Sequence, residues 1–213
     1  MDARITTPPG GHAAVYDAVM WPFERAAVGA WRRRLAAAAR GRVLEIASGT
    51  GAQLRWYAPG TEVTALEPDT SMRARARRRG AQAAARVSVV DGRAEELPFA
   101  DASFDAAVSA FALCTVADPA AALAELRRVL VPGGTLLLLE HVHLHWEPGR
   151  ALQSRAAPAW AAVAGGCRLD RDTVRFARDA GFSVLRERAH VAGWIVEASL
   201  RSPVGLQDGF SPA

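Results

Sequence analysis

Short apolar or β-branched segments alternate with Ala- and Arg-rich segments of helical length, and this alternation is the strongest constraint on the fold. Such a pattern is typical of a mostly parallel sheet whose strands are joined by crossover helices. The seven predicted strands are residues 42–47, 62–67, 86–90, 104–110, 135–141, 182–189 and 194–200. No helix separates the last two, so we predict an α/β sandwich whose mostly parallel sheet ends in an antiparallel C-terminal hairpin. A dinucleotide-binding Rossmann domain differs, because its sixth strand is also parallel.

The chain length leaves room for one full domain and a modest extension. A domain usually takes roughly 100–200 residues, and the chain has 213. We expect a helical lid segment over residues 1–40 and a single domain over 41–213. Residues 142–171 follow the fifth strand without strand character, and a structureless loop of that length is usually functional. We therefore expect this insertion to cover the site.

A helix is predicted over residues 22–39 of the N-terminal segment. Its apolar residues recur at helical spacing opposite three arginines. The apolar set is Val28, Trp31, Leu35 and Ala38, and the basic set is Arg32, Arg33 and Arg34. The pattern fits a helix packed on the domain with a solvated basic face, a lid over the site, or a helix on an anionic membrane surface.

The basic residues are a weak guide to partners. There are 26 of them against 22 acidic residues, a net charge of +4, which by itself suggests a nucleic-acid or membrane partner. All 26 are arginine, and neither Lys nor Asn occurs, which together with abundant Ala is typical of a GC-rich genome. Arg32 to Arg34 and Arg73 to Arg79 fall on predicted helix faces. We therefore expect no nucleic-acid partner.

Cysteine usage and hydropathy favour a cytoplasmic protein. Cys114 and Cys167 cannot form a disulfide framework, and no Cys or His cluster has zinc-ligand spacing, so no metal is expected. Residues 1–9 lack an apolar signal core, and the longest apolar runs are far shorter than the roughly 18 residues that span a bilayer. We expect no membrane span, while association with a membrane surface stays open.

A glycine-bearing turn follows the first predicted strand, over residues 43–51, and a helix is predicted to begin near Ala52. Glu67 ends the next strand, where an acid can accept both hydroxyls of a ribose. Leu54 occupies the position where a dinucleotide fingerprint needs a third Gly or Ala. Glu45 would repel phosphate and attract a cation, and the absence of Lys excludes a P-loop. These features favour an adenosine ligand with a cationic amino-acid tail, S-adenosylmethionine.

Five segments in order resemble the class I S-adenosylmethionine-dependent methyltransferases over about residues 40–142. Residues 45–51 are similar to the family's E-x-G-x-G-x-G, with Ala47 in place of the first glycine, and the other segments are 67–69, 92–99, 101–105 and 126–134. The resemblance implies a Rossmann-like fold. It also implies that the cofactor is held by Glu45, Ala47, Ser48, Gly49, Gly51, Glu67, Pro68, Ala94, Glu95, Ser109 and Phe111. Arg93 replaces an aspartate, so main chain or Glu95 is expected to meet the adenine amino group.

A further resemblance bears on the methyl acceptor. Residues 109–114 lack the [DN]-P-P-[FYW] of many nucleobase and glutamine N-methyltransferases. Segments 16–17, 24–25, 113–116, 140–142, 158–160 and 166–173, with Pro22, resemble the alkyl thiol methyltransferases of animals and their bacterial relatives. The resemblance implies methylation of a small, apolar acceptor, with a thiol favoured. Phospholipid N-methylation, quinone or secondary-metabolite C- or O-methylation, and a non-catalytic nucleic-acid or membrane-surface binder remain alternatives.

Attack on a sulfonium methyl needs proximity and exclusion of water more than a nucleophilic residue. A thiol acceptor has a pKa near 8.5, so a neutral imidazole can take its proton. His141, at the end of the fifth strand, is the first candidate for general base. The weaker candidates are His143, His145, His12 and Asp172.

The predicted substrate pocket comprises Tyr16, Cys114, Trp160 and Arg171. Cys114 and Cys167 are expected to be small, partly buried core residues and not catalytic thiols. Asp172 opens a predicted helix that extends to Gly181, so Arg171 and Asp172 form either a helix-capping ion pair or a wall of the pocket. Trp146, Trp160 and Trp194 supply apolar surface that suits an apolar acceptor.

Overall fold

The computed structural model describes residues 12–163 and 165–204. One seven-stranded sheet has the order β3-β2-β1-β4-β5-β7-β6. Its strands are β1 (Arg42–Ile46), β2 (Glu62–Leu66), β3 (Arg86–Val90), β4 (Phe104–Ala110), β5 (Leu130–His141), β6 (Ser183–His190) and β7 (Ile195–Arg201). The first five are parallel, whereas β7 pairs antiparallel with both β5 and β6. The predicted sheet and its C-terminal hairpin are confirmed.

Six α-helices cover the sheet in the described part of the chain. They are α1 (His12–Phe23), α2 (Gly29–Ala38), α3 (Thr70–Gly80), α4 (Pro119–Val129), α5 (Gly149–Val163) and α6 (Thr173–Asp179). One face of the sheet packs against α4 and α6 through Leu44, Ile46 and Leu138, and the other face packs against α2 and α3 through Val43, Val108 and Leu139. Because both faces are covered, the central strands are apolar at nearly every position.

The N-terminal helix differs from its prediction in length and in its buried face. Helical backbone extends from His12 to Ala38, with a five-residue π segment (Glu24–Val28) that begins two residues after Pro22. Arg32 is buried, whereas Ala38 is exposed, so the predicted solvated face is wrong for Arg32. The physical reason is a buried partner: Arg32 Nε donates to Glu24 Oε1 at 2.8 Å. Arg33 and Arg34 are exposed, as predicted.

The helix predicted to begin near Ala52 is reduced to a single 3₁₀ turn, Leu54–Trp56. The reason is the close approach of α3. A Cβ at Gly51 would lie 2.9 Å from the Cα of Ala76 and 2.8 Å from Leu54 Cδ1. Helix α3 thus packs directly on the glycine turn.

The segment over 142–171 is not structureless, because it contains α5. Gln153 anchors this helix to the chain after β5: its Nε2 donates to the Val142 carbonyl at 2.8 Å, and its Oε1 accepts from the Leu144 N–H at 2.7 Å. The predicted helix after Asp172 is confirmed as α6, with Asp172 as its N-cap. No helix in the described ranges has both the length and the apolar character needed to cross a membrane.

Candidate active site at the carboxyl edge of the sheet

The carboxyl ends of β1, β2, β4 and β5 meet at one edge of the sheet, where open α/β sheets bind their ligands. The glycine turn lies there, as does the loop over 111–116 that follows β4. An open cleft of about 810 Å³, lined by Asp101, Arg128 and Phe176 among others, lies at the opposite edge. The chemistry-bearing side chains gather at the carboxyl edge, and we place the candidate site there.

One side of the glycine turn packs against helix α3, and the other side faces open space. Three of its residues have left-handed backbone: Ala47 at φ 44°, Gly49 at φ 57° and Gly51 at φ 76°. A Cβ at Gly49 would have no neighbour within 4 Å, unlike one at Gly51. The Ser48 hydroxyl is buried and has no hydrogen-bond partner among the described residues. An unpartnered hydroxyl beside an open cradle fits a ligand held at this turn.

Glu67 ties the end of β2 to the turn. Its Oε2 accepts from the Gly49 N–H at 2.8 Å and its Oε1 from the Asp69 N–H at 2.9 Å. Burial raises the pKa of Glu67, and the two backbone hydrogen bonds oppose that rise. Each carboxylate oxygen keeps a further lone pair, so the predicted contact with ribose hydroxyls is compatible with this geometry.

Arg73 supports the same strand end from below. Its Nη1 donates to the carbonyls of Glu67 and Pro68 at 2.7 and 2.9 Å and to Asp91 Oδ1 at 2.8 Å. Arg73 lies on a helix, as predicted, but its side chain supports the carboxyl edge of the sheet. Pro68, predicted to touch the cofactor, is exposed.

Glu45 lies inside the protein under the turn, 2% exposed. Its Oε2 accepts from the Tyr57 hydroxyl at 2.7 Å. Burial raises the pKa of Glu45 to about 7, while the Tyr57 hydrogen bond and the charge of Arg32 lower it. Gln53 Nε2 reaches the Tyr57 hydroxyl at 3.4 Å, and Gln53 Oε1 is unpartnered among the described residues. The sequence reasoning missed Tyr57 and Gln53, which carry no motif.

An N-terminal clamp, formed by Asp17, Thr50, Arg75 and Arg79, ties α1 to the glycine turn. Asp17 Oδ1 accepts from the Thr50 hydroxyl at 2.7 Å. Asp17 Oδ2 accepts from Arg75 at 2.7 Å and from Arg79 at 2.8 Å. Arg79 also donates to the Thr50 carbonyl at 3.0 Å. The sequence reasoning did not assign this clamp, because its members come from three separate segments.

Two residues that were predicted to contact the cofactor have side chains that hydrogen-bond to other residues of the protein. Ser109 is fully buried and donates to Glu140 Oε1 at 2.6 Å, so its hydroxyl already has a partner within the protein. Glu95 Oε1 accepts from the N–H of Ala117 at 2.9 Å and so supports the chain before α4. Ala94 is buried in the core cluster.

Glu140 and Arg171 fix the loop that follows β4. Glu140 is fully buried and accepts from the N–H groups of residues 112, 113 and 114 at 3.0 to 3.1 Å. Arg171 Nη1 donates to the carbonyls of Leu113 and Val116 at 2.8 and 2.7 Å. The Arg171 guanidinium therefore holds the loop and is not a free wall of a pocket. Asp172 caps α6 by accepting from the Arg175 N–H at 3.0 Å. This backbone cap replaces the ion pair with Arg171 that was one of the two predicted roles.

Cys114, His141 and Cys167 form a cysteine–histidine cluster. The two sulfurs are 3.6 Å apart, and His141 Nδ1 lies 3.3 Å from Cys167 Sγ and 3.9 Å from Cys114 Sγ. Both thiols are free and buried, as predicted. The sequence nevertheless hid the cluster, because its members are 26, 27 and 53 residues apart.

The thiols of this cluster differ in acidity. Hydrogen bonding with Cys114 and with His141 lowers the pKa of Cys167 to about 5, against the effect of burial. Hydrogen bonding with Cys167, followed by burial and the charge of Glu140, raises the pKa of Cys114. The Cys167 thiol is therefore the more acidic of the two.

Aromatic residues surround the cysteine–histidine cluster. Phe111, at φ 60°, has its ring 4.8 Å from that of His141. Burial raises the pKa of the Tyr16 hydroxyl on α1. The charge of a nearby Cys114 thiolate also raises this pKa. The Trp160 indole on α5 also contributes to the lowered pKa of Cys167. Three of the four predicted pocket residues thus converge on the cluster, whereas Arg171 holds the loop.

The remaining histidine candidates lie apart from the cluster. His143 Nε2 lies 3.0 Å from the Ser154 hydroxyl, and His145 is exposed. The His12 side chain is outside the described part of the structure. Trp146 and Trp194 are exposed, at 54% and 43%.

Known proteins share this architecture. The family model described as "Methyltransferase domain" matches residues 44–138. A demethylmenaquinone methyltransferase of Parafrankia sp. is 34% identical over 90% of this chain and 89% of its own length. The thiol S-methyltransferase TMT1B of Homo sapiens is 35% identical over 68% of this chain and 61% of its own length. The chain thus spans about three fifths of the thiol S-methyltransferases it matches.

Solved structures show the same fold. A methyltransferase of Bacillus halodurans superposes with a TM-score of 0.68 at 18% identity, over 81% of this chain and 98% of its own. An S-adenosylmethionine-dependent methyltransferase of Thermotoga maritima gives a TM-score of 0.66 at 24% identity, over 90% of this chain and 99% of its own.

Proposed function

Because the chain belongs to the S-adenosylmethionine-dependent methyltransferase family, we propose that it methylates a small, apolar acceptor and that this acceptor is a thiol. When bound, S-adenosylmethionine supplies a methyl group activated by its sulfonium charge. The open side of the glycine turn at Gly49, the unpartnered Ser48 hydroxyl and the carboxylate of Glu67 are the groups proposed to hold it. The observation that carries the thiol proposal is the cysteine–histidine cluster, set among Phe111 and Trp160 at the same sheet edge.

The residues around the acceptor favour sulfur chemistry through exclusion of water. Aromatic side chains from the β4 loop, α1 and α5 surround the cluster, and an apolar setting limits the hydration of a thiolate nucleophile. His141 Nδ1 faces the two sulfurs, which leaves Nε2 as the atom proposed to accept the thiol proton. The similarity to the thiol S-methyltransferases supports the same acceptor class.

Quinone C-methylation is the second candidate. The relative that matches over 90% of this chain is a demethylmenaquinone methyltransferase, whereas the human thiol S-methyltransferase matches over 68%. A methyl-transfer assay separates the candidates when it offers an alkyl thiol, an aminophospholipid and a quinol, with product mass as the readout. A methylated thiol supports the proposal, and turnover of only the quinol or the phospholipid contradicts it.

Glu67 tests the cofactor site independently of the acceptor. We expect Glu67→Ala to weaken S-adenosylmethionine binding by about tenfold or more, because a buried acceptor for ligand hydroxyls is worth about 1.5–3 kcal/mol. Glu62→Ala is the matched control: Glu62 lies at the other end of β2, exposed and paired only with Arg86. Calorimetric titration checks both variants, and equal affinity in both would contradict the assigned role of Glu67.

A further inference from the structure

We propose that Cys114, His141 and Cys167 bind one soft divalent cation, Zn²⁺, and leave a fourth coordination position open for the sulfur of the acceptor. The use of that fourth position rests on the proposed thiol methylation, whereas the cation site itself does not. Two thiolates and one imidazole form a ligand set that zinc prefers in proteins.

The spacing of the three ligand atoms matches one face of a zinc tetrahedron. With Zn–S near 2.3 Å and Zn–N near 2.0–2.1 Å, tetrahedral geometry places two sulfurs about 3.8 Å apart and sulfur from nitrogen about 3.6 Å. The observed S···S distance is 3.6 Å, and the two S···N distances are 3.3 and 3.9 Å. A cation therefore fits with shifts of a few tenths of an ångström.

Rigid supports hold all three ligands in place before any ion binds. The Cys114 N–H donates to buried Glu140 Oε2 at 3.1 Å, and the Cys114 carbonyl accepts from the Arg168 N–H at 2.7 Å. The second bond also positions Cys167, the neighbour of Arg168. His141 ends β5, where it pairs with Ile195 of β7. A metal site requires ligands that are held in place on rigid elements. A chance contact of two cysteines would not explain these supports.

The charges around the cluster favour a cation. Glu140 is fully buried and accepts a hydrogen bond from the Cys114 N–H. A divalent ion would neutralise the two thiolates in a place where unpaired negative charge is costly. Arg171, just before α6, is a nearby cation, and its Nη1 is committed to the carbonyls of Leu113 and Val116.

A cation changes the role of His141 from base to ligand. An acceptor thiol that takes the fourth position loses its proton to water, because bound zinc favours the thiolate. The acceptor sulfur then forms its bond to the methyl carbon with its own electron pair, while the carbon–sulfur bond of the sulfonium breaks and leaves its electron pair on the donor sulfur. The thioether product carries no charge, so it binds the ion weakly and can leave.

Metal content and Co²⁺ substitution test the site without reliance on turnover. Protein purified under reducing conditions is expected to bind one Zn²⁺ per chain, and Co²⁺ is expected to give a thiolate-to-metal absorption band in the near ultraviolet. Cys114→Ser and Cys167→Ser should each lower this band by about half, and the double variant should lose it. His141→Asn should lose stoichiometric binding. His190→Asn is the matched control, because His190 pairs with Glu197 on the β6–β7 hairpin and should leave the metal content unchanged.

Several results would overturn the cation site. Wild-type protein that binds no Co²⁺, or a double variant that keeps the absorption band, excludes it. Where a variant fails to fold, native wild-type protein still decides: Zn²⁺ should protect both cysteines from alkylation, and equal alkylation with and without Zn²⁺ contradicts the proposal. Formation of a Cys114–Cys167 disulfide on exposure of the reduced wild type to air, at the same rate with and without excess Zn²⁺, would also contradict it.

Failure of this inference is distinguishable from failure of the proposed function. Thiol methylation by protein proven free of metal would overturn the role of the cation and leave the thiol acceptor intact. Stoichiometric metal with turnover only on a quinol or a phospholipid would leave the cation site intact and overturn the thiol acceptor.

Discussion

At the scale of single residues, the site depends on a few side chains and backbone angles that are costly in isolation. Glu45 is an acid within a buried strand, and Ala47 has the left-handed backbone that favours glycine. Both positions were predictable as unusual from the sequence: an acid in an apolar run and an alanine where the family has glycine. What could not be predicted was the environment of each, because Tyr57 and Arg32 reach Glu45 from other segments.

Glu45 makes stability depend on pH. Its pKa is raised from 4.5 to about 7 in the folded protein, so between these values the native state holds a proton that the unfolded state releases. Stability therefore falls as pH rises from about 4.5 to 7, by up to about 3 kcal/mol. We expect Glu45→Gln to raise the melting temperature at pH 8 and to have little effect at pH 4.5.

Thermal unfolding at both pH values checks this prediction. Glu62→Gln, on the exposed start of the neighbouring strand, should show no pH-dependent gain. A gain for Glu45→Gln of the same size at pH 4.5 and pH 8 would show that the buried charge is not its origin.

Ala47→Gly should stabilise the protein slightly and improve cofactor binding. Left-handed backbone costs alanine about 1–2 kcal/mol. Glycine removes this cost but raises the conformational entropy of the unfolded chain, which offsets about 0.4–1 kcal/mol of the gain. The net gain is about 0.5–1 kcal/mol. Ala102→Gly is the matched control, because Ala102 has φ 52° in an exposed turn before β4. Both variants should melt at a higher temperature. Only Ala47→Gly should bind S-adenosylmethionine more tightly, because the Ala47 methyl group leaves less room for the cofactor at the turn. Unchanged affinity would contradict this steric effect of Ala47.

At the scale of elements, sequence periodicity predicted the strands well and the helices unevenly. The strands agree because apolar runs and the turns that bound them are local signals. The glycine turn does not continue into a helix, since α3 packs against Gly51 and occupies that space. The insertion contains α5, and the N-terminal helix turns Arg32 inward. These differences arise from packing partners that local periodicity does not contain.

The N-terminal clamp ties α1 to the turn that we propose holds the cofactor. We expect Asp17→Ala to cost about 1–2 kcal/mol, since it removes an acceptor shared by Thr50, Arg75 and Arg79. Amide hydrogen exchange of α1 should speed up, and S-adenosylmethionine binding should weaken because Thr50 lies within the turn. Asp179→Ala is the control, as Asp179 forms only an exposed pair with Arg175 at 3.8 Å. Unchanged exchange in α1 would mean that other contacts hold this helix.

At the scale of the whole molecule, the sheet order brings the chemistry together. Strand β1 lies beside β4, and β4 beside β5, so the glycine turn, the 111–116 loop and His141 share one edge. Helices α1 and α5 add Tyr16 and Trp160 to it. Both helices also expose large apolar side chains, among them Val19, Trp21 and Leu152. That these helices form a lid over the acceptor stays a prediction, and so does the absence of a nucleic-acid partner.

The sequence by itself determined the strand pattern, the antiparallel end of the sheet, the glycine turn and the family, because each of these is encoded over a few neighbouring residues. Only the tertiary structure decided that Arg73 and Arg79 support the candidate site, that the Ser109 hydroxyl bonds to Glu140, and that two cysteines and a histidine meet. Those contacts join residues far apart in the chain, and burial on a shared sheet edge, which no local pattern records, sets their distances and their charges.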